Sequence, residues 1–208
     1  MSRKYGRTYH LPQSPGLSKD DRRVPHQDVL RAASQVVITE KMDGENTTLH
    51  AGGTHPRSLD ARYHPSRDWI KAFAATIAPE LAPDERIIGE YLFARHSISY
   101  DALPSYFLGF AWSVGGVFQS WPDTLARFQA LGITPVPVLY QGVFHEDLVA
   151  QVVKDMDFNT QEGFVLRVSD AFAEGDMATH MGKYVRAGHV QSDTHWSKAE
   201  LVKNTLIN

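Results

Sequence analysis

A chain of 208 residues with no cysteine, 42% hydrophobic and 22% charged residues and a net charge of −3 has the composition of a globular protein with a core of its own. The missing cysteine excludes a disulfide scaffold, a thiol nucleophile, a thiolate zinc site and an iron–sulfur cluster. No apolar run approaches the ~18 residues of a membrane span, and MSRKYGRTYH lacks the apolar stretch of a secretory signal.

Residues 1–25 read as a basic arm, with LPQSPGLSKDDRRVP (11–25) as an ordered loop rich in Pro, Gly and Ser. A short helix follows at 26–33. QVVITEKM (35–42) alternates and is β-branched, so it predicts a strand. Asp43-Gly44 is a hairpin signal, with a return strand at Asn46–His50. Ser66 is placed to cap a helix carrying Trp69, Ile70, Phe73 and Ile77 on one face. Strands are expected at 85–93, 106–113 and 117–121. Pro122 and Asp123 open a helix that Gly132 closes. The proline-bearing strand at 134–144 belongs at an edge. An amphipathic helix at 146–156, strands at 163–169 and 182–188 and a last helix at Ser197–Asn204 complete the reading. Strands outnumber helices without βαβ alternation, which predicts one α+β domain of antiparallel sheets flanked by helices.

Charge is unevenly placed. Residues 1–31 hold seven Lys/Arg against three acids, residues 32–180 ten against nineteen, and residues 181–208 four against two. Basic ends therefore flank an acidic centre, which by itself is ordinary solvated charge.

Candidate chemistry starts at Lys41, in EKMDGEN, at the end of an apolar strand. A nucleophilic lysine must attack as the neutral amine, which means overcoming a free pKa of ~10.4. Nearby cations, burial or a metal supply that shift. Four later segments offer partners: Glu90 in IIGEYLF, Phe110 in FLGFAWS, Glu162 in EGFVLRV, and Lys183 with Arg186 in MGKYVRAGH. Taken singly, each reads as an ordinary solvated or core residue. The ten histidines show no zinc-ligand spacing at His50/His55 or His189/His195.

Taken in order, KMDG, GEYLF, FLGFAW, EGFVLR and GKYVR resemble the covalent lysyl-nucleotidyltransferases, and most of all the stand-alone ATP-dependent RNA ligases. RTYHLPQSPG, ARHSISY and KYVRAGHVQSDTHW add to that resemblance. It implies an ATP-grasp-like ligase domain over 1–208, without the OB-fold appendage of capping enzymes and DNA ligases. It also implies a three-step reaction through lysyl-AMP and adenylylated RNA, joining 5′-phosphate and 3′-hydroxyl ends in RNA repair. Lys41 is then the nucleophile. Glu162 holds Mg²⁺ or Mn²⁺, and Lys183 meets the α-phosphate and depresses the Lys41 pKa. Glu40 contacts adenine, Asn46 lies near the phosphates or the attacking ends, Arg57 (with Arg62 as its alternative) touches phosphate, Glu90 holds the ribose, and Phe110 stacks on the purine. A second lysine common in relatives is replaced by Val185, and Arg186 is assigned its charge. Arg95 and His96 are candidates for gripping RNA ends, and Arg22 and Arg23 for RNA phosphates. An end-healing kinase-phosphatase is an expected partner, the expected location is cytoplasmic, and no membrane association is expected. The alternatives are a capping-type guanylyltransferase using GTP and a catalytically silent nucleotide- or RNA-binding module.

Overall fold

The computed structural model describes residues 3–17, 21–59, 64–188 and 201–207. In chain order the elements are α1 (Asp28–Ala32), β1 (Val36–Lys41), β2 (Glu45–His50), β3 (Gly53–Pro56), α2 (Asp68–Ile77), β4 (Glu85–Tyr91), β5 (Phe107–Val114), β6 (Val117–Phe118), α3 (Trp121–Leu131), β7 (Thr134–Pro135), β8 (Val138–Gly142), α4 (Leu148–Asp155), β9 (Gly163–Val168), β10 (Phe172–Ala173), α5 (Met177–His180) and β11 (Met181–Val185). No helix among the described residues is long and apolar enough to cross a membrane.

The strands form two sheets, in the order β11-β9-β1-β8 and β10-β6-β5-β4-β2-β3, with β7 paired in parallel to β5. The other ladders are antiparallel. The expected hairpin at Asp43-Gly44 does not form, because β1 and β2 belong to different sheets. A type I′ hairpin turn needs positive φ, and Gly44 is not among the positive-φ glycines. Its hydrogen serves close approach instead: a Cβ at Gly44 would meet the Tyr91 carbonyl oxygen at 2.5 Å and Leu92 Cδ2 at 2.8 Å. Lys41 therefore sits where the chain crosses from one sheet to the other.

The proline-bearing segment also divides. β7 joins the larger sheet and β8 edges the smaller one, since a Pro lacks the N–H that an unbroken ladder needs. Ser66 does not cap α2. It lies in a 3₁₀ turn (Pro65–Arg67) capped by His64, and α2 begins two residues later. α3 matches its expected signals, with Ser120 accepting from the Asp123 N–H and Gly132 closing it at φ 66°. Of the expected last helix, residues 197–200 lie outside the described residues. Residues 201–204 are not helical, and Asn204 bonds the Leu92 carbonyl (2.7 Å) and the Tyr100 N–H (3.0 Å). β3, β10 and α5 are too short for periodicity to reveal.

One core cluster joins the inner faces of both sheets, with Val36, Ile38, Phe164, Leu166 and Val168 meeting Ile88, Ala111 and Phe118. A second packs α2, through Ile70, Ala74 and Ile77, on Leu49, Ile87 and Phe107. Each fully buried aliphatic or aromatic side chain contributes about 1.5–3 kcal/mol. The first cluster holds the two sheets together, and the second fixes α2 on the other face of the larger one.

The N-terminal arm is part of this frame. Lys183 N–H donates to the Tyr9 carbonyl and Leu11 N–H to the Lys183 carbonyl, both at 2.8 Å. His10 N–H donates to the Arg22 carbonyl (2.7 Å), and Val24 N–H to the His10 carbonyl (2.9 Å). Residues 9–11 and 22–24 thus extend the smaller sheet beyond β11. Arg23 donates to the Leu11 and Pro12 carbonyls, and Arg22 to the Tyr9 hydroxyl.

Candidate active site

Lys41 closes β1 opposite Gly163. Its Nζ lies 2.6 Å from Glu162 Oε2, and the Glu162 side chain is 0% exposed. Burial pushes the Lys41 ammonium down, but Glu162, Glu90 and Asp43 push it up, and the net direction is up. The expected depression by Lys183 is overridden, because acids outnumber cations around the amine. Lys183 itself is 7% exposed and pairs with Asp21 at 3.5 Å. Burial lowers its pKa, Asp21 opposes that, and Lys41 adds to the lowering.

Glu90 lies opposite Asn46 in the β4–β2 ladder, and the Arg57 N–H donates to the Asn46 carbonyl at 2.8 Å. Directly opposed strand residues share a face, so the three expected nucleotide contacts form one row across the larger sheet. Glu90 Oε1 accepts from the Gly44 N–H at 3.2 Å. Burial, with Glu162 and Asp43 adding, pushes its carboxyl up to about 8 against the pull of Lys41 and Gly44. Arg186 N–H donates to the Glu162 carbonyl at 3.1 Å. Asn46 Oδ1, Arg57 Nε and Arg186 Nε are buried without hydrogen-bond partners among the described residues. Buried polar atoms are nearly always satisfied, so the two guanidinium donors favour an anionic ligand there, whereas the Asn46 oxygen calls for a donor.

Glu40 Oε2 accepts from Gln161 Nε2 at 2.9 Å, and burial raises its pKa. It lines a cleft of about 420 Å³ together with Met42, Tyr100, Leu108, Pro137 and Gln161. Phe110 and Glu90 are not among the walls of that cleft. Phe110 packs edge-on against Tyr5 at 5.5 Å between ring centroids. Arg95 is exposed and His96 half-buried, on a loop beside the crossing. Arg62 lies outside the described residues.

Two groups stand out beyond the expected set. Asp43, read from sequence as a turn residue, clamps the loop that carries Arg95 and His96. Its Oδ2 accepts from Ser97 N–H (2.8 Å), Ser97 Oγ (2.6 Å) and Ile98 N–H (2.9 Å). The other is the buried pair His10 and Asp21, whose only sequence signal is the RTYHLPQSPG segment.

Burial pushes the His10 imidazole down to about 4, with Lys183 adding and Asp21 opposing. A base with a depressed folded pKa stabilises above its unfolded pKa of 6.5, and that stability is lost as pH falls toward about 4. The gap corresponds to about 3 kcal/mol. His10→Gln keeps a donor and an acceptor but does not titrate. Urea titrations at stepped pH are therefore expected to show wild type losing about 3 kcal/mol more than His10→Gln across this window. Parallel losses would show that His10 does not titrate as described.

A half-buried lysine thus lies against a fully buried acid, close to a second lysine, where the chain crosses between two antiparallel sheets. The family model described as RNA ligase matches residues 34–185, and the chain belongs to that family. Among solved structures it is similar to an archaeal ATP-dependent RNA ligase (form 1), with 18% identity, TM-score 0.59, and 88% of this chain and 48% of that chain covered. It is similar to a Naegleria gruberi RNA ligase with PPi, with 16% identity, TM-score 0.53, and 95% and 62% covered. A mutant of that ligase with ATP and Mn gives 14% identity, TM-score 0.52, and 78% and 52% covered. At such identities the likeness establishes the fold. The chain spans about half the length of the archaeal ligase. No curated protein matches.

Proposed function

We propose that the chain acts as an ATP-dependent RNA ligase that joins 5′-phosphate and 3′-hydroxyl RNA ends through lysyl-AMP and adenylylated RNA. The observation that carries this reading is the contact of half-buried Lys41 with fully buried Glu162. In the first step, Lys41 Nζ attacks the α-phosphorus of ATP. A P–N bond forms, the bond to the β-phosphate oxygen breaks, and pyrophosphate leaves. AMP then passes to a 5′-phosphate end, and a 3′-hydroxyl displaces it. Each displacement is in line, so the protein's work is positioning and charge stabilisation.

Lys41 must lose its proton before it attacks, and the carboxylates around it hold that proton in the ligand-free geometry. Glu162 suits a hard divalent cation: it is an oxygen donor at the nucleophile. Among the described residues no three His, Cys, Asp or Glu groups are placed to hold a metal. Mg²⁺ commonly uses one or two carboxylates beside phosphates and water, so the residues fit Mg²⁺ or Mn²⁺ bound with substrate. Such a cation supplies positive charge that stabilises the leaving pyrophosphate. Lys183 stabilises charge on the α-phosphate, Glu90 holds the ribose and Phe110 stacks on the purine. Arg57 and Arg186 contact phosphate, and Asn46 lies near the phosphates or the attacking ends. Arg95 and His96, on the loop clamped by Asp43, meet the RNA ends. RNA repair alongside an end-healing kinase-phosphatase, in the cytoplasm, is the proposed setting.

The test strips any resident AMP with pyrophosphate, then incubates wild type and Lys41→Ala with ATP or GTP and Mg²⁺ or Mn²⁺. Intact mass is expected to show one AMP adduct on wild type alone. A GMP adduct would assign a capping-type reaction, and no adduct with either nucleotide would mark a silent binding module. Sealing of nicks in RNA rather than DNA strands checks the substrate.

A further inference from the structure

We propose that Asp21, held by His10 and Ser14, is a positioning residue that aims the Lys183 ammonium at the Lys41–Glu162 pair. The inference rests on the reading of Lys183 as the cation that meets the α-phosphate.

A chain of contacts leaves β11 and returns to it. Val185 N–H donates to Ser14 Oγ at 3.0 Å, and Ser14 Oγ lies 2.8 Å from His10 Nδ1 in a hydrogen bond. His10 Nε2 faces Asp21 Oδ2 at 3.3 Å, and Asp21 Oδ1 faces Lys183 Nζ at 3.5 Å. Residues 183 and 185 lie on the same face of a strand, so the circuit spans one pleat. The His10–Asp21 link is a polar contact at ion-pair distance rather than an aligned hydrogen bond. The imidazole is neutral near pH 7, so Asp21 is the charged member that faces the ammonium.

The circuit lies inside the protein: His10 is 0% and Ser14 1% exposed, and the Asp21 side chain is 10% exposed. Simple attachment of the arm does not require this. Leu11, 0% exposed, and the backbone ladder already attach it, and interior polar groups carry a desolvation cost that apolar ones avoid. The anchor is also rigid. A Cβ on Gly16 would meet the Arg186 carbonyl oxygen at 2.5 Å, and one on Gly182 would meet Leu11 Cδ2 at 2.6 Å. The arm therefore rests closely on β11 at Leu11 and Gly16. A lysine is a flexible stem with three donors. Asp21 selects one arrangement of that stem and leaves donors for phosphate.

The test follows lysyl-AMP formation in single turnover for wild type, Asp21→Asn, Asp21→Glu, Lys183→Ala and Lys183→Ala/Asp21→Asn. Asp21→Asn is expected to slow the step about 10- to 100-fold at saturating ATP, as misplacement of a catalytic group does. Asp21→Glu should recover part of that loss. In the Lys183→Ala background, Asp21→Asn should change the rate less than about twofold, because its effect acts through the missing ammonium. Lys183→Gln, which keeps a donor but carries no charge for Asp21 to hold, replaces Lys183→Ala in the cycle if the latter has no measurable rate. His10→Gln replaces Asp21→Asn if urea titration shows that the variant does not fold. A wild-type rate in Asp21→Asn overturns the inference, as does the same loss in both backgrounds, which marks a purely structural role. Absence of any adduct on wild type would instead overturn the ligase reading.

Discussion

Lys41→Ala is expected to remove the covalent adenylate, by at least about 10³-fold, and also to destabilise the protein by about 3 kcal/mol. The first loss follows from removing the nucleophile. The second comes from Glu162, which is 0% exposed and would lose an ammonium 2.6 Å away. Breaking a buried pair from one side strands the other charge, whereas removing both charges can be nearly neutral. Lys41→Ala/Glu162→Gln should therefore regain most of the stability while remaining unable to form the adduct. The effect has a pH sign. Glu90 stands at about 8 even with Lys41 present. A carboxyl whose folded pKa is raised contributes stability below its unfolded pKa and loses it as pH rises through the folded value. Loss of Lys41 raises Glu90 further, so the Lys41→Ala deficit should stay level up to about pH 8 and widen from about pH 8 to about pH 9.5, where Glu90 ionises in wild type but not in the variant. Urea midpoints for the three proteins at both pH values check it. Equal stability of wild type and Lys41→Ala, or no recovery in the double variant, would refute the buried-pair account.

Gly163→Ala is the second large effect. Gly163 lies between Lys41 on β1 and Val185 on β11. A Cβ there would run into the Tyr184 carbonyl oxygen and approach Val185 Cα to 3.1 Å. Backbone on an inner ladder does not yield as a side chain end does, so β9 and β11 must part. Overpacking of this kind costs about 1–3 kcal/mol. Lys183 and Glu162 would separate with the strands, and adenylylation in the folded protein should fall about 10²-fold. Gly175→Ala is the control, since nothing lies within 4 Å of its added Cβ. Its urea midpoint should stay within about 0.5 kcal/mol of wild type. A Gly163→Ala protein as stable and as fast as Gly175→Ala would show that strand approach at this ladder is not critical.

Much of the strand and helix order was legible because it rests on local rules. β4, β5, β9 and β11 carry apolar runs that only a buried sheet accommodates, and α3 announces both its ends. Asp43-Gly44 misled because a turn signal reports local backbone preference, whereas the sheet a strand joins depends on which faces must be buried. The last-helix expectation failed at 201–204 for a related reason: Asn204 finds its hydrogen bonds at Leu92 and Tyr100, more than a hundred residues back.

By itself, the sequence determined the candidate chemistry: a lysine, two strand acids and a second lysine in a fixed order, within a family whose pattern spans residues 34–185. Only the tertiary structure decided their electrostatics. Lys41 and Glu162 are 121 residues apart in the chain and 2.6 Å apart in space, so the upward shift on Lys41 belongs to no single segment. Only the structure showed that the arm anchors Lys183 through His10 and Asp21. Residue order and spacing are properties of the chain, but burial and Coulomb interaction depend on distance through space, which folding sets.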